Sequence, residues 1–327
     1  MDQGDKRKEC WDKILCQLEQ GVESLFNSTE YKRYLDTMAK FTKYSLNNSI
    51  LIYSQKPDAT YVAGYRAWQK NFNRHVKKGE KGITILVPYI YKEKEKTADE
   101  NGEKETEKTE EKEISHIYFR PATVFDISQT EGDPLPQWAN CSFELTGQVK
   151  GYEDFFQILK EISPFPITFE TISGHGKGYC SPSQEIIVLK DGMSQVQNVK
   201  TAVHEITHAH LHSFYEKPTD AGLKKPREIC EVEAESVAYV VCRHYGVDSS
   251  EYSFPYIAGW ERRDRKILRE SLETIRGAAE TLINKIDEAY LKRYNREITL
   301  ESVNEERISK ESAVYRKKTY RDRRPTI

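Results

Sequence analysis

The sequence predicts an α+β protein of more than one domain, and three observations carry that expectation. Apolar residues repeat at helical spacing from about residue 8 to 55, the texture then switches to β-branched and aromatic runs, and helical and strand-like stretches alternate again beyond residue 150. At 327 residues the chain is long enough for two domains with separate cores. Boundaries are expected to give residues 1–135, residues 136–255 and a charged helix and tail over 256–327.

In the first part, Trp11, Leu15, Leu18 and Val22 form one helical stripe and Tyr31, Tyr34, Leu35, Met38 and Phe41 another. Thr60 to Tyr65 and Ile83 to Pro88 are expected as strands, with a short helix from Arg66 to Phe72 between them. Lys77-Lys78-Gly79-Glu80-Lys81-Gly82 signals a turn. Residues 93–113 hold 10 acids against 5 lysines and almost nothing apolar, which predicts a mobile acidic insertion at the tip of a hairpin. Strand-like sequence resumes at Ile114 to Phe119, and Asp133-Pro134-Leu135-Pro136 marks the boundary. The second part is expected to hold a helix from Gly151 to Ile162, strands at Ile167 to Ile172 and Glu185 to Leu189, and helices at Asn198 to Tyr215 and Arg227 to Tyr245. A long charged helix should follow from about Tyr256 to Tyr294, with the remaining tail too polar to hold a core.

Composition narrows the function classes. Apolar residues make up 37% and charged residues 31%, and no apolar run approaches the roughly 18 residues of a membrane span, so a soluble protein is expected. Nothing apolar follows Met1 to Lys6, so no secretory signal is expected. Six cysteines without a CxxC pair form neither a disulfide framework nor a zinc-finger pattern, which fits reduced thiols in the cytoplasm. The net charge of −2 conceals an asymmetry: residues 1–92 hold 16 Lys/Arg against 10 Asp/Glu, which hints at an anionic partner.

The segment His204-Glu205-Ile206-Thr207-His208 contains the pattern HExxH. On a helix, residues four apart sit one above the other, so His204 and His208 aim two imidazoles at one point where a divalent metal, zinc first and manganese or another as alternatives, would bind. Glu205, one residue on, is placed to take a proton from water that the metal acidifies to a pKa of about 7. Five-residue strings of this kind also occur by chance. The next predicted helix strengthens the metal reading, because Glu231, Glu233 and Glu235 open an otherwise apolar stretch and are costly to bury without a cation. Catalytic zinc takes three protein ligands and one open position, and two histidines with a glutamate are a standard set. Glu231 and Glu235 share a face, an arrangement that resembles the glutamate-type zincins, in which the first acid binds metal and the second orients a histidine. Glu231 is therefore the expected third ligand and Glu235 its orienting partner, with Glu233 as the reserve. His210 and His212 do not fit a third-histidine spacing and are expected to be surface or satisfied core residues. The strand-like stretch Gly178 to Leu189 is either an ordinary sheet strand or the edge along which an extended peptide would lie.

In the first part, Tyr44 to Ile52, Gln55 to Thr60, Val62 to Trp68 and Val76 to Ile83 interleave aromatics, amides and cations. Aromatic faces stack bases while Lys and Arg track phosphates, the chemistry of sequence-tolerant single-strand binding, although the same residues also suit a core and a solvated turn. Arg66, Trp68, Lys77, Lys78 and Lys81 are the first candidate contacts, with Lys43 and Tyr44 next. These strings, with Phe119 to Gly132 and Glu231 to Tyr239, resemble the ArdC family of antirestriction proteins of conjugative plasmids and integrative elements, over roughly residues 8–250. The resemblance implies a single-stranded DNA-binding N-terminal domain, a zincin-like metallopeptidase domain with a bound divalent metal, and protection of incoming DNA during conjugative transfer. The acidic insertion and the residues from 256 onward depart from that pattern. Two other readings stay open: a protease whose N-terminal part recognises a protein substrate, and a DNA-binding protein with a non-catalytic metal site.

Overall fold

The computed structural model describes residues 3–95, 112–135, 151–212, 225–247 and 265–321. The chain forms two compact units, Met1–Glu144 with Lys225–Arg276 and Leu145–Lys224 with Gly277–Ile327. Mixed helices and small sheets make up both, as the α+β expectation requires.

The first unit opens with α1 (Gln3–Ser24), α2 (Ser28–Lys40) and α3 (Leu46–Gln55). Asn27 caps α2 by accepting from the backbone N–H groups of Thr29 and Glu30, and Ser45 caps α3. The buried stripe of α1 is Ile14, Leu18 and Val22, with Leu15 turned to solvent, a one-residue correction to the predicted phase. Tyr31, Tyr34, Leu35 and Met38 of α2 are buried as expected. A Cβ at Gly21 would lie 2.5 Å from Ile50 Cγ2, so only glycine lets α1 and α3 cross this closely.

A three-stranded antiparallel sheet follows in the order β1 (Val62–Gly64), β4 (Lys112–Asp126), β3 (Ile83–Glu95). Helix α4 (Tyr65–Phe72) connects β1 to β2 (Arg74–Val76), which pairs with β5 (Thr130–Gly132). Phe41, Ile52, Ala59, Val62, Ile83, Ile85 and Val124 close the core beneath the sheet. On the free edge of β3, the Asn48 and Gln55 side chains of α3 each make a two-way hydrogen bond with strand backbone. Asn48 bonds Leu86 N and O, both at 2.8 Å, and Gln55 bonds Thr84 N and O, both at 2.9 Å. These amides satisfy groups that an adjoining strand would otherwise take.

Buried Asp126, at the end of β4, accepts from the backbone N–H groups of Thr60 at 2.7 Å, Tyr61 at 3.1 Å and Ser128 at 2.9 Å. Burial alone would raise its carboxyl, but hydrogen bonds from Ser128, Thr60 and Tyr61 more than offset that and hold it below the usual carboxylate value. Because the folded value is depressed, this stabilisation is present above the unfolded pKa of about 4 and is lost as pH falls through the folded one. Asp126→Ala, which orphans these donors, should cost roughly 1–3 kcal/mol at pH 7 and progressively less toward pH 3, read by denaturant titration at each pH.

The hairpin departs from expectation in length. The β3–β4 pairing runs from Ile83↔Val124 out to Glu95↔Lys112, so strands reach into the predicted acidic loop at both ends; residues 96–111 lie outside the described residues. Ladder bonds form between backbones whatever the side chains, which is why polar composition hid these strand ends.

Helix α7 (Arg227–His244) belongs to this first unit and is fastened to α2. Tyr31 Oη bonds Ser236 Oγ at 2.9 Å, Tyr239 donates to Asp36 at 2.8 Å, Arg243 donates to the same carboxylate at 2.8 Å, and His244 Nδ1 bonds Ala39 O at 2.8 Å.

The second unit holds α5 (Tyr152–Ile162), a sheet in the order β6 (Ile167–Glu170), β8 (Ile186–Lys190), β7 (Gly178–Ser181), and α6 (Gln195–Leu211). β6 runs parallel to β8 and β7 antiparallel. A Cβ at Gly178 would lie 2.7 Å from Thr201 Cγ2, so glycine permits β7 and α6 to approach. Helix α8 (Arg265–Arg321) does not stop near Tyr294 as predicted but continues to Arg321, because its Glu-, Lys- and Arg-rich sequence favours helix. Arg293 ties it to α5 through Asp154 at 3.0 Å and Glu161 at 3.2 Å. Among the described residues no helix is long and apolar enough to cross a membrane.

Candidate metal centre

Ser194 caps α6 by accepting from Gln197 N, and Val199, Ala202, Val203, Ile206 and Ala209 bury one side of the helix. That apolar side fixes the rotation of α6 and leaves His204 and His208 half-buried on another. Their rings lie 4.7 Å apart between centroids, and the two Nε2 atoms approach to 3.1 Å, so both nitrogens address one point as the four-residue spacing predicts. Glu205 is buried beside them.

His212, expected to be a surface or satisfied core histidine, is half-buried and places Nδ1 2.9 Å from Nδ1 of His208. The outer nitrogen of a metal-ligating histidine ordinarily bonds a group that fixes its ring and tautomer. His212→Ala should weaken metal affinity about 10- to 100-fold without unfolding the chain, read by competition with a chelating dye. The spacing His204-x₃-His208-x₃-His212 was the available signal. His210 is half-buried, with an Nε2 that has no hydrogen-bond partner among the described residues; burial, and then Lys285, lowers its pKa.

On α7 the three acids part company. Glu233 is fully buried and paired with Lys225, so the reserve ligand already has its cation. Glu231 and Glu235 are half-buried, with Arg227 Nε 3.6 Å from Glu231 Oε1. The paired imidazoles of His204 and His208 are donors that suit zinc and other first-row divalent ions, and both side chains are partly exposed. The residues present therefore fit such an ion. β7 lies at an edge of its sheet, with Tyr179 43% exposed.

In the N-terminal part, Lys43, Arg66, Lys77, Lys78 and Lys81 are exposed. The 77–82 turn is held rigid: Gln129 donates to Lys81 O at 2.8 Å and Glu80 at 3.0 Å, and Lys77 Nζ donates to Ser128 O at 3.0 Å. Tyr44 is half-buried and donates to Val62 O at 3.4 Å. Trp68 corrects the expectation: it is 0% exposed, its indole N–H donates to Phe125 O at 2.9 Å, and its ring packs between Tyr61 and Phe72. A ring so enclosed presents no face to a base. Sequence reasoning also overlooked the exposed aromatics Tyr89, Tyr91, Tyr118 and Phe119 of the β3–β4 hairpin. The uninterrupted apolar run Ile117-Tyr118-Phe119, with no polar alternate, was the clue.

Residues 4–125 match the N-terminal domain of anti-restriction factor ArdC, and residues 162–246 match the IrrE N-terminal-like domain of peptidase family M78. An uncharacterized protein of Bacillus anthracis, pXO2-81, is 31% identical over 324 residues, covering 86% of this chain and 51% of its own length. The chain thus spans about half the length of that curated relative. Two crystal structures of the antirestriction ArdC protein from plasmid R388 are similar at 20% identity. The metal-free form has a TM-score of 0.48 over 75% of this chain and 86% of that one, and the Mn(II)-bound form 0.49 over 82% and 97%.

Proposed function

We propose, from the premise that this chain joins an ArdC-family N-terminal domain to an IrrE-like domain of the M78 peptidase type, that it binds single-stranded DNA and hydrolyses peptide bonds at a divalent-metal site. The single observation that carries the catalytic part is the convergence of His204 and His208 on α6, whose Nε2 atoms lie 3.1 Å apart. In this reading residues 136–255 form the peptidase part. His204, His208 and Glu231 hold the ion, zinc in the first instance with manganese an alternative, and Glu235 orients a ligating histidine. When bound, the ion supplies Lewis acidity toward the substrate carbonyl and toward water. Glu205, buried beside the histidines, is the general base: it removes a proton from the attacking water and returns it to the departing amine. The β7 edge offers backbone pairing to an extended peptide.

Residues 1–135 form the DNA-binding part. Lys43, Arg66, Lys77, Lys78 and Lys81 follow phosphates with Tyr44 beside them, and the braced 77–82 turn supports this by presenting its cations without a large ordering cost. Trp68 is left to the core. The ArdC-type domain supports a role for a mobile element, acting in the cytoplasm on DNA that enters single-stranded during conjugation.

The test is metal content and DNA binding measured on the same purified chain. About one zinc or manganese per chain is expected, with affinity for a labelled oligonucleotide that falls steeply as salt rises. A chain that takes up neither ion when offered it removes the peptidase reading, and salt-insensitive or absent binding removes the DNA reading.

A further inference from the structure

The β3–β4 hairpin carries aromatic side chains where a sheet ordinarily turns polar. One face, set by the register pairs Ile83↔Val124 and Ile85↔Ala122, enters the core. The same face continues outward through Val87↔Arg120, Tyr89↔Tyr118 and Tyr91↔His116. There Tyr89 is 41%, Tyr91 50% and Tyr118 57% exposed. The Arg120 guanidinium lies 3.5 Å over the Tyr89 ring, and His116 stacks on Tyr118 with 29° between planes. Alternate residues of a strand rise by about 6.6 Å, so Tyr89 and Tyr91 present successive rings along one line. Exposed aromatics on this scale mark a binding surface.

We infer that this face is a stacking platform for the unpaired bases of single-stranded DNA, with Arg120 contributing both a flat cation over a ring and a charge toward the backbone. It rests on the DNA reading above and deepens it: the cations of residues 43–81 would follow phosphates, while Tyr89, Tyr91 and Tyr118 take bases. Rings spaced along a strand with a stacked arginine suit flat, extended heterocycles on a polyanion. A protein partner would sooner use the opposite face, where Ile90, Ile117 and Phe119 are 55–63% exposed.

The experiment uses the full chain with two fluorescent 20-mers of equal charge, oligo-dT and an abasic strand, read by anisotropy. Tyr89→Ala and Tyr118→Ala should each weaken dT binding roughly 5- to 150-fold, the range for loss of one stacked base, and leave abasic binding unchanged. Tyr89→Phe and Tyr118→Phe should retain wild-type affinity, which separates stacking from loss of the fold. Wild-type dT binding that survives both alanine variants overturns the platform and leaves the DNA reading intact. Equal loss on both strands makes the hairpin a backbone contact and also overturns it. No dT binding by the wild type overturns the DNA reading itself, and a change of sedimentation state without a change in affinity assigns the face to protein.

Discussion

Glu205→Gln should keep its metal at the wild-type level and hydrolyse a quenched fluorescent peptide roughly 10²- to 10⁴-fold more slowly, the usual contribution of a general base. Glutamine matches glutamate in shape and fits the buried position of Glu205, so little repacking is expected. What is lost is the capacity to accept a proton, since an amide oxygen is far too weak a base. Metal analysis beside the kinetics makes the outcome decisive. A variant that loses metal and activity together would mean that Glu205 shapes the site rather than moving a proton. A variant as active as the wild type would remove it from the chemistry.

The second large effect concerns the ion. His204→Ala should abolish stoichiometric metal binding, because it breaks the pair of imidazoles that α6 holds together and leaves too few donors for a stable site. Glu231→Ala should lose metal too. Glu233→Ala should behave in the opposite way. It should keep the ion but lower thermal stability, because Glu233 is fully buried and Lys225 would lose its partner. Full metal content in Glu231→Ala, with loss in Glu233→Ala, would exchange the roles of the two acids.

The pairing of His204 and His208 was readable in the sequence because helical geometry is local. A four-residue interval places His208 above His204 on any α-helix, and the same interval distinguishes the Glu231 face from that of Glu233. The Lys225 partner of Glu233 was not readable, since it stands before the helix begins and its reach depends on how the chain enters α7. The base-stacking role of Trp68 failed for a related reason. Tyr65, Trp68 and Phe72 fall at helical spacing, but in a helix of only eight residues the pattern does not say which side meets the core. Tyr65 turned out exposed and Trp68 enclosed. The amides of Asn48 and Gln55, grouped in sequence with the DNA-facing side chains, are engaged by strand backbone more than 25 residues away, a pairing that no local window contains. Strand length in the hairpin and helix length in α8 were underestimated because polarity was taken to end regular structure, whereas backbone pairing and helix propensity both continue through charged residues.

The attachment of α7 to α2 bears on how such a gene can be inherited. The helix that bears Glu231 falls inside the peptidase-type match, yet Ser236, Tyr239, Arg243 and His244 rest on Tyr31, Asp36 and Ala39 of the N-terminal match. Recombination that split the two segments would strand an apolar helix surface on one side and the buried Tyr31 hydroxyl on the other. The pair is therefore expected to travel between genomes as one indivisible cassette, and to lose or gain function together.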